Sequence, residues 1–289
     1  MENAIEISGL RKQYKGKLAL DQIDLVVPAG SVCALLGSNG AGKSTLMKIL
    51  AGLQKADGGT ATILGRDPWR DAQILRKEVA YVAEKPKFYD WMSVAETGWF
   101  AAGFYPLGFE DRFRSICQRM KIDPGAKLSS LSKGGYARVA LALALAMDPK
   151  ALLLDEPTSG LDLFTRRDFL SGMVDLAGEG KTVLISSHNL SEVERVASQV
   201  VFINEGKIIL NLSMDALKRR LVRLRQRGEP MFNLTAMGRI LRQGKDGPWN
   251  EWIVLRHETA SLDPNHGFET IGLEEMYEVV LGIREEVAT

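Results

Sequence analysis

From the N-terminus to about residue 210, short apolar runs alternate with helix-length segments. The runs AIEIS, SVCALL, TATILG, VAYVA, ALLLD, TVLISS and VVFIN are rich in Val, Ile, Leu or Thr. Most are bounded by Gly, Asp or Pro, which is the composition of strands. Between them, STLMKILAGL and residues 161–177 have the length and pattern of helices. Strands that are apolar throughout and separated by helices predict an α/β domain with a mainly parallel sheet.

Two regions break the alternation. Residues 85–147 read as helices only, with Trp91, Trp99, Phe100, Phe104, Tyr105 and Phe109 crowded together. This predicts a helical subdomain inserted into the α/β core, with part of the aromatic cluster serving as its local core. Its longest apolar run, residues 139–147, follows LSKGGY at 131–136. Each glycine there weakens a helix start by roughly 1 kcal/mol against Ala, so the pair needs a reason other than helix propensity. After Leu212 the texture changes again. A predicted helix begins near Ser213 and carries Lys218, Arg219, Arg220, Arg223, Arg225 and Arg227. A Gly/Pro-punctuated segment follows, then a strand candidate in WIVLRH and a last helix in GLEEMYEVVLG. The expected division is a main domain over residues 1–212 and a small α+β accessory domain over 213–289. No internal repeat is visible.

Composition narrows the class without changing this picture. The 289 residues are 45% apolar and 25% charged, as in an ordinary soluble protein, and the net charge of +1 gives no whole-chain footprint for nucleic acid. Of the two cysteines, Cys33 and Cys117, the first sits in an apolar run and reads as a small buried hydrophobe, pointing to a reducing compartment. The opening MENAIEISGL lacks the basic region of a secretory signal. No apolar run approaches the ~20 residues of a membrane helix, so the chain is not expected to span a membrane itself.

Three motifs carry chemistry. GSNGAGKST, residues 37–45, fits the P-loop pattern and lies between a predicted strand and a predicted helix. Gly37, Gly40 and Gly42 let backbone N–H groups curl around phosphate oxygens, with Ser38, Asn39 and Ala41 completing the loop. Lys43 is placed for the β- and γ-phosphates, Ser44 for Mg²⁺, and Thr45 follows on the helix. In ALLLDEPTSGLD, residues 151–162, an apolar strand ends in two acids. Asp155 there is placed to hold Mg²⁺ through water, and Glu156 to orient or deprotonate an attacking water. In TVLISSHNLSEVE, His188 ends another apolar strand, ahead of a helix capped by Asn189 or Ser191, and is placed to donate to a γ-phosphate oxygen.

Together these residues resemble the nucleotide-binding domain of ABC-type ATPases, from about residue 4 to 210. The resemblance implies a P-loop NTPase core with an antiparallel β subdomain and the inserted helical subdomain, binding ATP and Mg²⁺. By resemblance GSNGAGKST is Walker A and LLLDE is Walker B. SGLD is the D-loop, ending in Asp162, and His188 is the switch histidine. Tyr14 stands where the family stacks an aromatic on adenine, or is an exposed loop tyrosine. Two positions depart from the pattern. Glu84 occupies the place of the Q-loop glutamine, facing Mg²⁺ with an added negative charge. LSKGGY aligns with the LSGGQ signature: Ser132 and Gly134 match, Lys133 replaces Gly and Gly135 replaces Gln. In the family this segment closes on a nucleotide held by another subunit. Lys133 there either adds charge attraction or faces solvent.

One Walker A and one signature per chain imply a dimer, expected to be a homodimer with a heterodimer left open. The terminal GLEEMYEVVLG resembles the last helix of ATP-binding subunits in drug- and antibiotic-export transporters. On that resemblance the chain powers a separate integral membrane permease from the cytoplasmic face, with no nucleic-acid partner. The aromatic cluster would lie where the permease docks. The basic run 218–227 would meet anionic lipid or an acidic partner, or form a solvated helix face. Two other functions stay open: a soluble ABC ATPase acting on a nucleic-acid or protein complex, and a nucleotide sensor of low turnover.

Overall fold

The computed structural model describes residues 2–188, 190–228, 234–257 and 268–282. They form two units, Met1–Leu210 and Asn211–Thr289.

The first unit is built on a six-stranded sheet. Its strands are β3 (Val32–Leu36), β5 (Val79–Val82), β6 (Ala151–Asp155), β7 (Thr182–Ser187), β8 (Gln199–Asn204) and β9 (Lys207–Ser213). Their spatial order is β5-β6-β7-β3-β8-β9. Every residue of β3, β6 and β7 is buried, as expected of strands covered on both faces. The pairings β5–β6, β6–β7, β7–β3 and β3–β8 are parallel, so the chain leaves β5, β6, β7 and β3 at one common edge. That C-terminal edge is where open α/β sheets bind ligands.

A second sheet is antiparallel, with β1 (Asn3–Tyr14) between β2 (Lys17–Pro28) and β4 (Gly58–Ile63). β2 was not among the strands expected. Its inward residues Leu20, Ile23, Leu25 and Val27 lose their period of two at Gln22, where φ is +52°. An irregularity of this kind inserts one residue and hides the alternation. Between the sheets, Ile5, Leu10, Leu25, Cys33, Leu153 and Val201 join one apolar core with α1 (Lys43–Leu50). Burial raises the Cys33 thiol far above its usual range.

The short α2 (Ala72–Leu75) precedes β5, and the helical insertion follows it. The insertion comprises α3 (Val94–Ala102), α4 (Phe109–Arg119) and α5 (Lys133–Ala146). Ser93 and Glu96 form a capping box at the start of α3, each side chain taking the other residue's backbone N–H. Gly98 lets α3 approach α4: a Cβ there would lie 2.2 Å from the Phe113 ring. Phe109, Phe113, Ile116, Cys117, Val139 and Ala142 form the insertion's own core. Of the crowded aromatics, Phe109 is in that core and Tyr105 packs against it, whereas Trp91, Trp99 and Phe104 are 66%, 67% and 70% exposed. Beyond β6 lie α6 (Leu163–Gly178) and the short α7 (Leu190–Val193). Asn189, proposed as a cap, lies outside the described residues, as does the Ser191 side chain.

The second unit corrects one expectation. The helix from Ser213 is α8 (Met214–Arg220) and stops there, and β10 (Leu221–Gln226) follows directly. Arg223 and Arg225 therefore sit on a strand. Buried Val222 and Leu224 alternate with the two arginines, and pairing with β12 packs them with Trp252 and Val254. Burial of this period-two face outweighs the good helix propensity of Leu and Arg. After α9 (Leu234–Met237), β11 (Gly238–Asp246), β12 (Trp249–Arg256) and β13 (Phe268–Thr270) complete an antiparallel sheet of order β11-β12-β10-β13, and α10 (Leu273–Gly282) follows.

Arg223 and Arg225 are neutralised inside this unit, whereas Lys218 and Arg219 lie exposed on the last turn of α8. Glu251 Oε2 accepts from Arg225 Nε at 2.8 Å and lies 3.3 Å from Arg223 Nε, while Oε1 accepts from Arg242 at 2.8 Å. Arg223 also pairs with Glu275. Burial alone would raise the Glu251 carboxyl, but Arg242, Arg225 and Arg223 outweigh it and hold Glu251 below its usual value. The Arg227 guanidinium stacks 5.1 Å from the centre of the Trp249 ring.

Candidate functional site

The P-loop joins β3 to α1, and local geometry explains its glycines. A Cβ on Gly37 would lie 2.2 Å from the Ile203 carbonyl oxygen, and one on Gly42 would lie 2.6 Å from that of Ala19. Gly40 and Gly42 take φ of +82° and +112°, a region costly for residues with a Cβ. The loop thus lies backbone to backbone against its neighbours and turns sharply into α1. Ser38, Asn39 and Gly40 face solvent, Ala41 is buried, and Ser44 and Thr45 are half-buried on the first turn. The Lys43 ammonium, buried, donates to Gly37 O at 2.6 Å and Ser38 O at 3.2 Å, so its charge lies inside the loop.

Asp155 ends β6 and Glu156 begins the turn after it, beside the P-loop on the same sheet edge. Both carboxylates are buried. Ser186 of the neighbouring β7 organises them: its hydroxyl donates to Asp155 Oδ1 at 2.8 Å and accepts from the Glu156 N–H at 2.8 Å. Glu156 itself is left-handed, with φ +49°, a conformation that costs a non-glycine residue about 1–3 kcal/mol and clusters at functional sites. Its Oε2 lies 2.7 Å from His188 Nδ1. A carboxylate only accepts, so Nδ1 carries the hydrogen of this bond, and the His188 side chain is largely exposed. Oε1 has no hydrogen-bond partner among the described residues, with Lys43 Nζ at 3.6 Å. A buried acceptor left open in this way suits a water molecule.

Lys43, Asp155, Glu156 and His188 are therefore brought together. Glu84 follows β5 at the same edge and is exposed, with Lys85 at 4.0 Å. Tyr81 lies between them in charge terms: burial first, then Asp155 and Glu84, push its hydroxyl well above the usual value. Tyr14, at the end of β1, is 41% exposed. Its hydroxyl donates to Gln54, and the Lys12 ammonium is 5.5 Å from its ring centre. Ser132 caps α5, its Oγ accepting from the Gly135 N–H at 3.1 Å. Gly134 lies against the D-loop, where a Cβ would come 2.8 Å from Gly160 O. Asp162 caps α6 through the Thr165 N–H at 3.0 Å and the Thr165 hydroxyl at 2.6 Å.

Sequence reasoning missed Ser186. The only signal was a doubled serine ahead of His188, in a strand otherwise apolar. A separate groove of about 700 Å³ opens on the helical insertion, lined by Phe88, Tyr89, Met92, Phe100, Phe104 and Leu143 among others. Tyr89 meets Phe100, and Phe100 meets Phe104, edge to face.

A phosphate-binding loop on one strand, an acid pair on the next strand but one and a histidine on the strand between them define a P-loop ATPase. Residues 20–159 match the family model described as ABC transporter, and residues 127–194 match one described as an AAA domain, putative AbiEii toxin, Type IV TA system. The lantibiotic transport ATP-binding protein SrtF of Streptococcus pyogenes is 37% identical over 218 residues, 73% of this chain and 91% of that protein. The uncharacterized ABC transporter ATP-binding protein all4389 of Nostoc is 30% identical, covering 98% of this chain and 83% of that one. A solved ATP-binding subunit of an ABC transporter matches with TM-score 0.69 and 28% identity, over 75% of this chain and 92% of that one. The chain belongs to the ATP-binding proteins of ABC transporters, and its activity is ATP hydrolysis. No helix among the described residues is long and apolar enough to cross a membrane.

Proposed function

We propose that Glu156 is the general base of this ATPase and that the chain drives a separate permease by closing as a dimer on ATP. The observation that carries the reading is the open, buried Glu156 Oε1 beside Lys43, with Oε2 held by His188. In this reading Gly37, Ser38, Asn39, Gly40, Ala41, Gly42 and Thr45 bind phosphate, and Lys43 neutralises it. Tyr14 meets the adenine. Oε1 takes the proton of the attacking water, and His188, as the imidazolium with Nδ1–H held by Glu156, donates Nε2–H to the phosphate that departs.

The donor set fits Mg²⁺. Ser44 supplies a hydroxyl, Asp155 a buried carboxylate fixed by Ser186, and Glu84 a carboxylate on the adjacent strand end. Among the described residues no group of three or more His, Cys, Asp or Glu is placed to hold a metal ion by itself. When bound, the ion neutralises charge on the phosphates.

The N-terminus of α5, with Ser132, Gly134 and Gly135, would meet the nucleotide of a second copy, and Asp162 would lie at the same face. The exposed aromatic groove of the helical insertion suits an amphipathic segment of the permease. On this reading the chain works at the cytoplasmic face of a membrane. Likeness to SrtF, named for lantibiotic transport, supports a peptide or drug-like cargo moved outward. Within the basic run, Arg223 and Arg225 are engaged by Glu251 and so are not open to a nucleic-acid backbone.

The test is Glu156→Gln. Turnover should fall by about 10²–10⁴-fold, the usual contribution of a general base, while ATP binding persists and a nucleotide-loaded dimer accumulates on a sizing column. Hydrolysis within about twofold of the parent protein would remove Glu156 from this role.

A further inference from the structure

Lys133 opens α5 in a position that helix electrostatics disfavour. A cation in the first turn opposes the helix dipole, and no acidic residue shares that turn. What it gains is a partner in the D-loop. Its ammonium donates to Ser159 Oγ at 3.1 Å. Its stem covers Gly160, where an added Cβ would lie 2.8 Å from Lys133 Cδ and 3.1 Å from Cγ. Gly134 presses on the same turn through backbone alone. Ser159 in turn donates its N–H to the Glu156 carbonyl at 3.1 Å. Two hydrogen bonds therefore run from the Lys133 amine to Glu156, the left-handed residue of the site.

We infer that Lys133 is a positioning residue for hydrolysis. It fastens the Ser159–Gly160 turn to the N-terminus of α5 and so helps to hold Glu156 in its costly backbone conformation. Ser186 grips the Glu156 N–H from one side, and the Lys133–Ser159 latch grips its carbonyl from the other. Relaxing Glu156 toward ordinary φ would swing its carbonyl away from Ser159 and break the chain of contacts. The same latch joins the α5 N-terminus to Glu156, so a phosphate arriving at that terminus is felt at the base. The inference rests on the reading of Glu156 as the base.

The experiment is a double-mutant cycle in steady-state ATP hydrolysis by the full chain. Lys133→Met keeps the stem and removes the donor, and Ser159→Ala removes the acceptor. Each single change should lower kcat about fivefold at unchanged KM for ATP, the upper end for one exposed charge-assisted contact. The double variant should be no slower than the slower single, and Lys133→Arg should restore kcat to within about twofold. A raised KM with kcat intact in Lys133→Met would show the amine acting on the nucleotide itself and overturn the inference. So would independent losses multiplying to about 25-fold, or no loss at all. Glu156→Gln in the same assay separates the two ideas. If it still turns over, the base assignment fails. If it is dead while the Lys133–Ser159 cycle is additive, only the latch fails.

Discussion

Glu251 is the carboxylate that Arg223, Arg225 and Arg242 share, so Glu251→Gln strips one anion from three cations at once. Two of its contacts are 2.8 Å hydrogen bonds to guanidinium groups. Bonds of this type contribute about 1.5–3 kcal/mol each when shielded. Arg225 and Arg242 are 40% and 43% exposed, so water replaces much of what they lose. Arg223 is only 18% exposed but keeps Glu275. The net loss should be about 2–3 kcal/mol, below the full penalty for breaking a buried pair. Urea unfolding of the full chain, followed by tryptophan fluorescence, reads it, because the buried Trp252 adjoins Glu251. With a typical slope of about 2 kcal/mol per molar urea, the midpoint of that transition should drop by about 1–1.5 M. The pH dependence has a definite sign. Glu251 titrates below its unfolded value of about 4.3, so its stabilisation is complete above that pH and is lost as pH falls through the lower folded value. The gap between parent and variant should be full at neutral pH and close below about pH 4. A midpoint shift under about 0.3 M at neutral pH would refute the reasoning and class these contacts with screened surface pairs.

Three further outcomes are expected. Gly98→Ala should cost about 1–3 kcal/mol in thermal unfolding through the clash with Phe113, and Phe113→Leu should recover part of that loss in the double variant. Ser186→Ala leaves the buried Glu156 N–H unsatisfied and frees Asp155; kcat should fall about tenfold or more with a smaller change in KM, measured by phosphate release. Trp99→Ala combined with Phe104→Ala should leave the melting temperature unchanged, because both side chains are exposed, yet abolish co-purification with membrane protein.

What could be read in advance was whatever the chain keeps contiguous. Gly37 to Thr45, Asp155–Glu156 and His188 each follow a short apolar run, and strand adjacency then assembles them at one edge. Contacts between distant segments were not readable. Ser186 reaches Glu156 across 30 residues, and Lys133 reaches Ser159 across 26. No local pattern distinguishes such a serine from any other. β10 was misread for a different reason: no Gly or Pro separates it from α8, and RRLVRLRQR is as good a helix as a strand until partners bury Val222 and Leu224. β2 escaped because one left-handed residue, Gln22, shifted its inward face.

Both cysteines of the chain are buried and free, and burial pushes the Cys117 thiol up to about 11. Only the thiolate reacts, so the folded protein is nearly silent toward thiol-directed reagents at neutral pH. A single cysteine introduced at exposed Ser129, outside the nucleotide loop and the Lys133 latch, would then be the only site labelled, with no need to remove the native thiols. The cysteines thus leave a clean background on which the proposed closure of two copies around ATP could be followed by a pair of dyes or spin labels.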